Sequence, residues 1–231
     1  MKKYYFLILL ICYFNLQGCS LTKKPYDYRN YLKHMPKAIL VLPPSNKSLE
    51  VMAPYKYISI ITKPIAEKGY YVYPVAVIDE LMKANGVNTP EQMHQIPLYK
   101  INEIIDPDAV LYITINDWGT KYKIIDSQTT ISISAKLVDT DNGIILWQGG
   151  RTVVKSSSEN NNNSIIEMLV AALVNQILTN FIDPSLDVAR IVNNKLFLNH
   201  NGLLSGQYNQ NYLQDQIQTK KRMEEAFKES N

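Results

Sequence analysis

The chain has 231 residues, with 24 lysines and arginines against 21 aspartates and glutamates, a formal net charge of +3. This near balance gives no support to nucleic-acid or polyanion binding. The two cysteines, Cys12 and Cys19, both lie near the N-terminus, so the remaining chain holds no thiol for a disulfide, a metal site or a nucleophile.

The first residues have the layout of a secretory signal. Lys2 and Lys3 precede an apolar run over residues 4–14, and about 11 residues are too few to span a hydrocarbon core, which needs roughly 20. Residues 16–19 (LQGC) resemble a bacterial lipobox. The resemblance implies a signal peptide over residues 1–18 that is removed, and fatty acyl chains such as palmitate on Cys19. The alternative is an ordinary cleaved signal with an incidental cysteine.

The residue after Cys19 bears on localisation. Ser20 occupies the position where aspartate retains many lipoproteins at the inner membrane. We therefore expect the outer membrane, with the protein facing the periplasm. Residues 19–37 show no periodicity and contain Pro25 and Pro36, which predicts a lipidated tether. About 18 residues reach about 60 Å when fully extended.

Residues 38–183 are predicted to form the core domain. Strands are expected at 38–42, 70–74, 109–126, 129–138 and 144–155, and helices at 55–68, 75–85, 97–105 and 164–181. Pro64 predicts a kink or a new helix start. A turn or bulge is expected at 116–119, a hairpin turn at 139–143, and a second bulge at Gly149-Gly150.

This order predicts an α/β fold, a mixed sheet with helices packed against it. Strand 129–138 alternates apolar and polar residues, as an antiparallel strand buried on one face does. We take it as an edge strand that can pair between subunits, which gives a route to a homo-oligomer. Residues 184–231 are predicted to be a less regular C-terminal extension, partly packed and partly polar helix or disorder.

No catalytic motif is found, so we predict a protein that is not an enzyme and binds no cofactor or metal. His34, His94 and His200 are far apart in the sequence. Asp106 and Asp108 flank Pro107, where turn chemistry explains them better than acid–base catalysis.

Aromatic residues are the candidates for partner binding. The chain has 16 tyrosines against five phenylalanines, and tyrosine suits interfaces with a wet rim. We single out Trp118, Tyr55, Tyr57 and Tyr71 as a possible partner surface. The alternative for each is a packed core or edge aromatic.

Several stretches resemble a family of bacterial outer-membrane lipoproteins of unknown function. The resemblance is carried by residues 41–44 (VLPP), 64–72 (PIAEKGYYV), 74–77 (PVAV), 108–112 (DAVLY), and by Gly202, Leu203, Leu204, Gly206, Tyr212 and Asp215. It implies a domain similar to the N-terminal domain of TolB and an association with CsgG-like outer-membrane lipoproteins. It implies no enzymatic activity.

The leading hypothesis is therefore a non-enzymatic accessory subunit of an outer-membrane export or envelope-assembly complex, with a CsgG-like partner. An LpoB-like regulator of a cell-wall synthase is the second hypothesis, although its tether is short. An envelope hydrolase using Asp106 or Asp108 is the third.

Overall fold

A mixed six-stranded sheet organises the described part of the chain. The computed structural model describes residues 26–122, 127–156 and 183–229. The strands are β1 (Ala38–Val41), β2 (Ser45–Asn46), β3 (Tyr71–Val72), β4 (Ala109–Tyr122), β5 (Ser127–Asp139) and β6 (Ile145–Ser156). The helices are α1 (Arg29–His34), α2 (Ala53–Glu67), α3 (Val75–Ala84), α4 (Pro90–Met93), α5 (Leu98–Ile105), α6 (Pro184–Phe197) and α7 (Tyr212–Glu229).

The strand order is β3-β1-β4-β5-β6, and β2 also pairs with β4. β1 runs parallel to both β3 and β4, whereas β4, β5 and β6 pair antiparallel. This confirms the predicted mixed α/β sheet. Because β5 lies between β4 and β6, it is not an edge strand, and the expectation that 129–138 pairs between subunits is wrong.

Both faces of the sheet are covered over β1 and the first half of β4. Ile39 and Val41 join the larger core cluster, which includes residues of α2 and α6. Leu40 and Val110 point to the opposite face and pack with residues of α3, α4 and α5. An all-apolar β1 is what a strand buried on both faces requires.

The predicted irregularity in β4 is confirmed. The register with β5 shifts between Ile115 and Asp117, so Asn116 is an extra residue in the strand. Ile115 and Trp118 are both buried although they are three residues apart, because the bulge inverts the alternation of the strand. The 139–143 hairpin is also confirmed, and Gly143 there adopts a φ of 73°.

The structure decides two sequence predictions about proline and glycine. α2 continues through Pro64 to Glu67, so of the two alternatives at Pro64 the new helix start is wrong, and the bulge predicted at Gly149-Gly150 is also wrong. Gly149 and Gly150 pair regularly with Ala135 and Ser134, and the register shift lies nearer the start of β6, opposite Leu137 and Val138.

Packing explains Gly149. A Cβ atom on Gly149 would lie 2.8 Å from Cζ2 of Trp147 and 3.1 Å from Cδ1 of Leu196. Trp147 is fully buried, and its ring lies across the backbone at position 149. The site therefore has no room for a side chain, whatever the residue's backbone conformation.

The packed core extends beyond the predicted domain limits at both ends. Tyr28 and Tyr31, placed in the tether by sequence, are 2% and 1% exposed, and α1 packs near β6. Residues 184–197, predicted to be less regular, form α6, whose Val188, Val192 and Phe197 are buried. These residues are apolar at helical spacing and pack on β5 and β6. The helix predicted at 164–181 lies outside the described residues.

Within the described ranges, no helix is both long enough and apolar enough to cross a membrane.

We predict that Gly149→Ala lowers the free energy of unfolding by about 1–3 kcal/mol, because the new methyl group overpacks the core against Trp147. Gly150→Ala is the matched control. At that position a Cβ meets nothing nearer than 3.6 Å, so its cost stays well below that of Gly149→Ala. Urea denaturation of the two variants measures the difference, and equal midpoints would contradict the packing argument.

Candidate functional site

Two of the four aromatic candidates lie in the core. Tyr57 is fully buried, and its hydroxyl donates a hydrogen bond to Asn193 Oδ1 at 2.5 Å. Trp118 is 3% exposed and meets the Tyr57 ring edge-on, with ring centroids 6.2 Å apart. Both residues pack α2 against the sheet, so the prediction that they form a partner surface is wrong and the core alternative is correct.

The other two aromatic candidates are exposed, at separate places. Tyr71 is 51% exposed on β3 and contacts the Tyr73 ring. Tyr55 is 58% exposed in the first turn of α2, and the Lys83 ammonium lies 5.9 Å from its ring centroid. Their role as partner-binding residues stays a prediction. Cys19 lies outside the described residues.

Tyr55 belongs to a larger exposed surface that sequence patterning did not reveal. Leu49, Val51 and Met52 precede it in the loop between β2 and α2, and they are 100%, 79% and 51% exposed. We call these four residues, Leu49, Val51, Met52 and Tyr55, the apolar rim. Single exposed apolar residues are common, but three within four residues of one loop are unusual unless they meet a partner.

The loop that carries the apolar rim is held by its own polar side chains. Asn46 Oδ1 accepts hydrogen bonds from the Ser48 amide at 3.0 Å and the Ser48 hydroxyl at 2.7 Å. Asn46 Nδ2 donates to the Glu50 carbonyl at 2.9 Å, and Glu50 Oε1 accepts from the Met52 amide at 3.0 Å. These local bonds satisfy the loop backbone and leave the apolar side chains facing solvent.

The same loop is fastened to the sheet and to α6. Residues 45 and 46 pair with Thr114 and Ile115 of β4. Lys56, one turn into α2, makes an ion pair of 2.9 Å with Asp183, which caps α6 through its bond to the Ser185 amide. The hydrogen bonds from Ser185 and Lys56 outweigh partial burial and lower the pKa of Asp183. The apolar rim is therefore presented on a preorganised scaffold.

The second feature is the point where the N-terminal leader joins the domain. Tyr28 donates to the Gly202 carbonyl at 2.6 Å, Tyr70 donates to the Leu204 carbonyl at 2.6 Å, and the Tyr31 and Tyr70 hydroxyls are hydrogen-bonded to each other. We call these three tyrosines with residues 202–205 the anchor junction. Burial raises the pKa of all three tyrosines. Their hydroxyls therefore stay protonated and act as donors.

Several of the residues that carry the family resemblance lie at the anchor junction. A Cβ on Gly206 would lie 2.4 Å from the Gly69 carbonyl oxygen, so the two glycines permit the chains to cross. Asp215 Oδ2 accepts from the Ser205 amide at 2.7 Å and fixes the loop from α7. The tyrosines at 28 and 31 follow no clear periodicity, and no sequence signal separated them from the tether.

The acidic candidates at 106 and 108 have structural roles. Asp106 ends α5 in the left-handed region, with a φ of 56°. Asp108 Oδ2 accepts hydrogen bonds from the Lys37 and Ala38 amides at 2.7 and 2.8 Å, which holds the start of β1. This supports the turn explanation over acid–base chemistry.

The histidines also occupy separate sites. His34 Nδ1 lies 3.0 Å from Asp139, and His94 Nε2 bonds the Pro43 carbonyl at 2.9 Å. Within the ranges that the structure describes, no group of three or more histidines, cysteines or acidic residues is arranged to hold a metal. An open polar groove of about 620 Å³ lies between α5 and the 139–143 hairpin, lined by Tyr99, Glu103 and Asp141 among others.

The mixed sheet and its covering helices define an α/β domain, and residues 16–19 (LQGC) ahead of it predict a lipoprotein. A family model described as "Putative lipoprotein GNA1162-like" matches residues 26–208. A lipoprotein of Neisseria meningitidis serogroup B, NMB1124/NMB1162, is 38% identical over 194 residues, which cover 83% of this chain and 90% of the relative. The chain belongs to the GNA1162-like lipoprotein family.

One solved structure agrees with this assignment. The crystal structure of lipoprotein GNA1162 from Neisseria meningitidis is 43% identical, with a TM-score of 0.51, and covers 62% of this chain and 99% of its own. The LpoB C-terminal domain from Salmonella enterica is 15% identical over 52% of this chain and 83% of its own, with a TM-score of 0.39. A similarity as low as that to LpoB supports no conclusion about this chain. Family membership supports a membrane-anchored place in the cell envelope.

The buried tyrosines predict alkaline instability. Burial raises the pKa of Tyr57, whereas in the unfolded chain its hydroxyl ionises near pH 10. Above about pH 10 the unfolded state binds fewer protons than the folded state. The stabilisation is therefore fully present below that pH, and the free energy of unfolding falls as pH rises, by about 1.4 kcal/mol per pH unit for each such tyrosine.

Urea denaturation between about pH 8 and pH 11 measures this slope. Tyr57→Phe is expected to reduce the slope and to lower stability at neutral pH by about 1 kcal/mol, because Asn193 loses its partner. Tyr55→Phe removes a hydroxyl from the exposed end of the same helix and is the matched control. A slope that is identical in the Tyr57→Phe variant and the unmodified protein would refute the assignment.

Proposed function

We propose that this protein is a non-enzymatic, lipid-anchored accessory subunit of an outer-membrane export or envelope-assembly complex, facing the periplasm. The observation that carries the proposal is the apolar rim: a hydrogen-bonded loop that projects Leu49, Val51, Met52 and Tyr55 into solvent. Its chemistry is that of a docking site for another protein.

For binding, the fixed conformation of the loop matters as much as its apolar character. A flexible loop loses conformational entropy on binding, which subtracts from affinity, whereas the Asn46 and Glu50 hydrogen bonds have already restricted this loop. Aromatic and large apolar anchors at the centre of an interface contribute most of its binding energy. Tyr55, with Lys83 beside its ring, has the composition of such an anchor.

The leader limits where the domain can work. Tyr26 is bonded to the domain, since its hydroxyl accepts from the Gln148 amide at 3.0 Å. If Cys19 carries the acyl chains, the stretch from Cys19 to Tyr26 can span at most about 25 Å. This is less than half of the about 60 Å expected for a tether over residues 19–37. This length supports a subunit working beside the membrane rather than an LpoB-like regulator that reaches through peptidoglycan to a synthase.

The partner and the membrane are further parts of the proposal. Ser20 after the predicted lipidation site supports the outer membrane. The sequence resemblance supports a CsgG-like lipoprotein as the partner docked on the apolar rim. Asp106 ends a helix and Asp108 holds the start of β1. These structural roles support a binding protein over an envelope hydrolase.

The anchor is tested by Cys19→Ala in the full-length chain expressed in a double-membrane bacterium. We expect the unmodified protein to fractionate with the outer membrane and to carry the mass of its acyl chains, because more than one chain gives stable anchoring. The variant is expected in the soluble periplasmic fraction or unprocessed. Outer-membrane recovery of the variant equal to that of the unmodified protein would contradict the anchor.

The docking site is tested by placing a photo-crosslinking amino acid at Leu49 or Val51 of the lipidated protein in cells. We expect crosslinks to an outer-membrane lipoprotein from both positions. The same amino acid at Val77, an exposed apolar position on α3, is the matched control and is expected to give none.

Crosslinked species are identified by mass spectrometry. Identical products from all three positions would contradict a specific rim. Crosslinks only to a second copy of this chain would replace the accessory role with a homo-oligomer.

A further inference from the structure

We propose that the outer face of α7 lies on the anionic surface of the membrane that holds the lipid anchor. The inference rests on the proposed lipidation of Cys19 and goes beyond it, since it states how the domain is oriented. It also concerns a helix that follows the segment matched by the family, which ends at residue 208.

The inner face of α7 packs on the anchor junction. Thr219 and Gln216 are 1% and 8% exposed, and Met223 packs against the core. Asp215 bonds the Ser205 amide, and Arg222 donates to the His200 carbonyl at 3.4 Å. The helix is therefore positioned by the domain and is not a free tail.

The outer face of α7 has the composition of an interfacial helix. Leu213 and Ile217, one turn apart, are 70% and 67% exposed. Lys220 and Lys221 follow them and are exposed, with Glu224 a turn further along. The Lys221 ammonium lies 3.9 Å from Glu225 in an exposed ion pair, which is weak enough to exchange for a lipid phosphate. Long lysine side chains beside an apolar stripe can keep their ammonium groups at lipid phosphates while the stripe enters the headgroup region.

The position of the leader favours the membrane as the surface that contacts the outer face of α7. Tyr26, the first described residue, lies beside Asn201, its amide donating to Asn201 Oδ1 at 3.5 Å, and Arg222 of α7 reaches the neighbouring His200. The leader from Cys19 to Tyr26 extends at most about 25 Å, and a helix of this length is about 27 Å long. The whole outer face of α7 therefore lies within reach of the bilayer surface.

Tethering lets a weak contact persist. An anchored domain samples the bilayer at a high effective concentration, so two or three apolar side chains suffice to bias its orientation without binding vesicles by themselves. This gives the anchor junction a second role: the tyrosines that fasten the leader also fix the side of the domain that faces lipid. The apolar rim lies elsewhere, in the loop between β2 and α2 and in the first turn of α2, and stays available to a protein partner.

The test uses the full-length lipidated protein in vesicles of phosphatidylethanolamine and phosphatidylglycerol. A nitroxide label is placed at Ile217→Cys, and in a separate sample at Tyr99→Cys, an exposed position on α5 that serves as the control. We expect the accessibility ratio of oxygen over a water-soluble nickel complex to be several-fold higher at 217 than at 99. Adding Lys220→Gln and Lys221→Gln is expected to reduce that difference.

Two results would overturn the proposal. Equal water accessibility at 217 and 99 would show that α7 faces solvent. Dipolar broadening at 217 that disappears on dilution with unlabelled protein would show that a second copy covers the helix. Intact mass of the same sample reports acylation separately, so failure of the anchor is distinguished from failure of the helix contact.

Discussion

The buried hydroxyl of Tyr70 is the contact on which the arrangement of the chain depends. It bonds the Leu204 carbonyl and the Tyr31 hydroxyl, and so joins β3, the N-terminal segment and the loop after α6 at one point. A buried hydroxyl without partners costs about 1–3 kcal/mol, so the packing of each of these three segments favours the packing of the other two. Beside it, the segments that contain Gly69 and Gly206 cross so closely that neither position has room for a side chain.

This junction gives the lipoprotein its geometry. Beside it, Tyr26 is bonded to Gln148 and to Asn201, and Arg222 of α7 reaches the neighbouring His200. The proposed docking surface lies elsewhere, on a loop stiffened by Asn46, Ser48 and Glu50. The anchor junction and the proposed docking surface thus lie on different elements of the same domain, which suits a subunit that holds a partner near a membrane.

Local patterns predicted the features that depend on neighbouring residues. The alternation in β5, the turn at Gly143 and the bulge at Asn116 each arise from a few adjacent residues, and the structure contains all three. The same patterns could not predict features that depend on contacts between residues distant in sequence. The pattern suggests a bulge at Gly149 because its neighbour in space, Leu196 of α6, is not visible in it. It leaves Tyr57 open between surface and core because its partner Asn193 is far along the chain.

The sequence by itself determined the mixed α/β class, the family and a predicted lipid anchor, because apolar periodicity, family-specific stretches and a signal layout are local properties. The tertiary structure decided which aromatic residues are core, where the tether ends and which apolar side chains remain in solvent. Tyr28, Tyr31 and Tyr57 are buried, whereas Leu49 and Val51 are exposed, although all five are equally suited to a core. Burial depends on what the rest of the chain places over a residue, and no stretch of sequence carries that information alone.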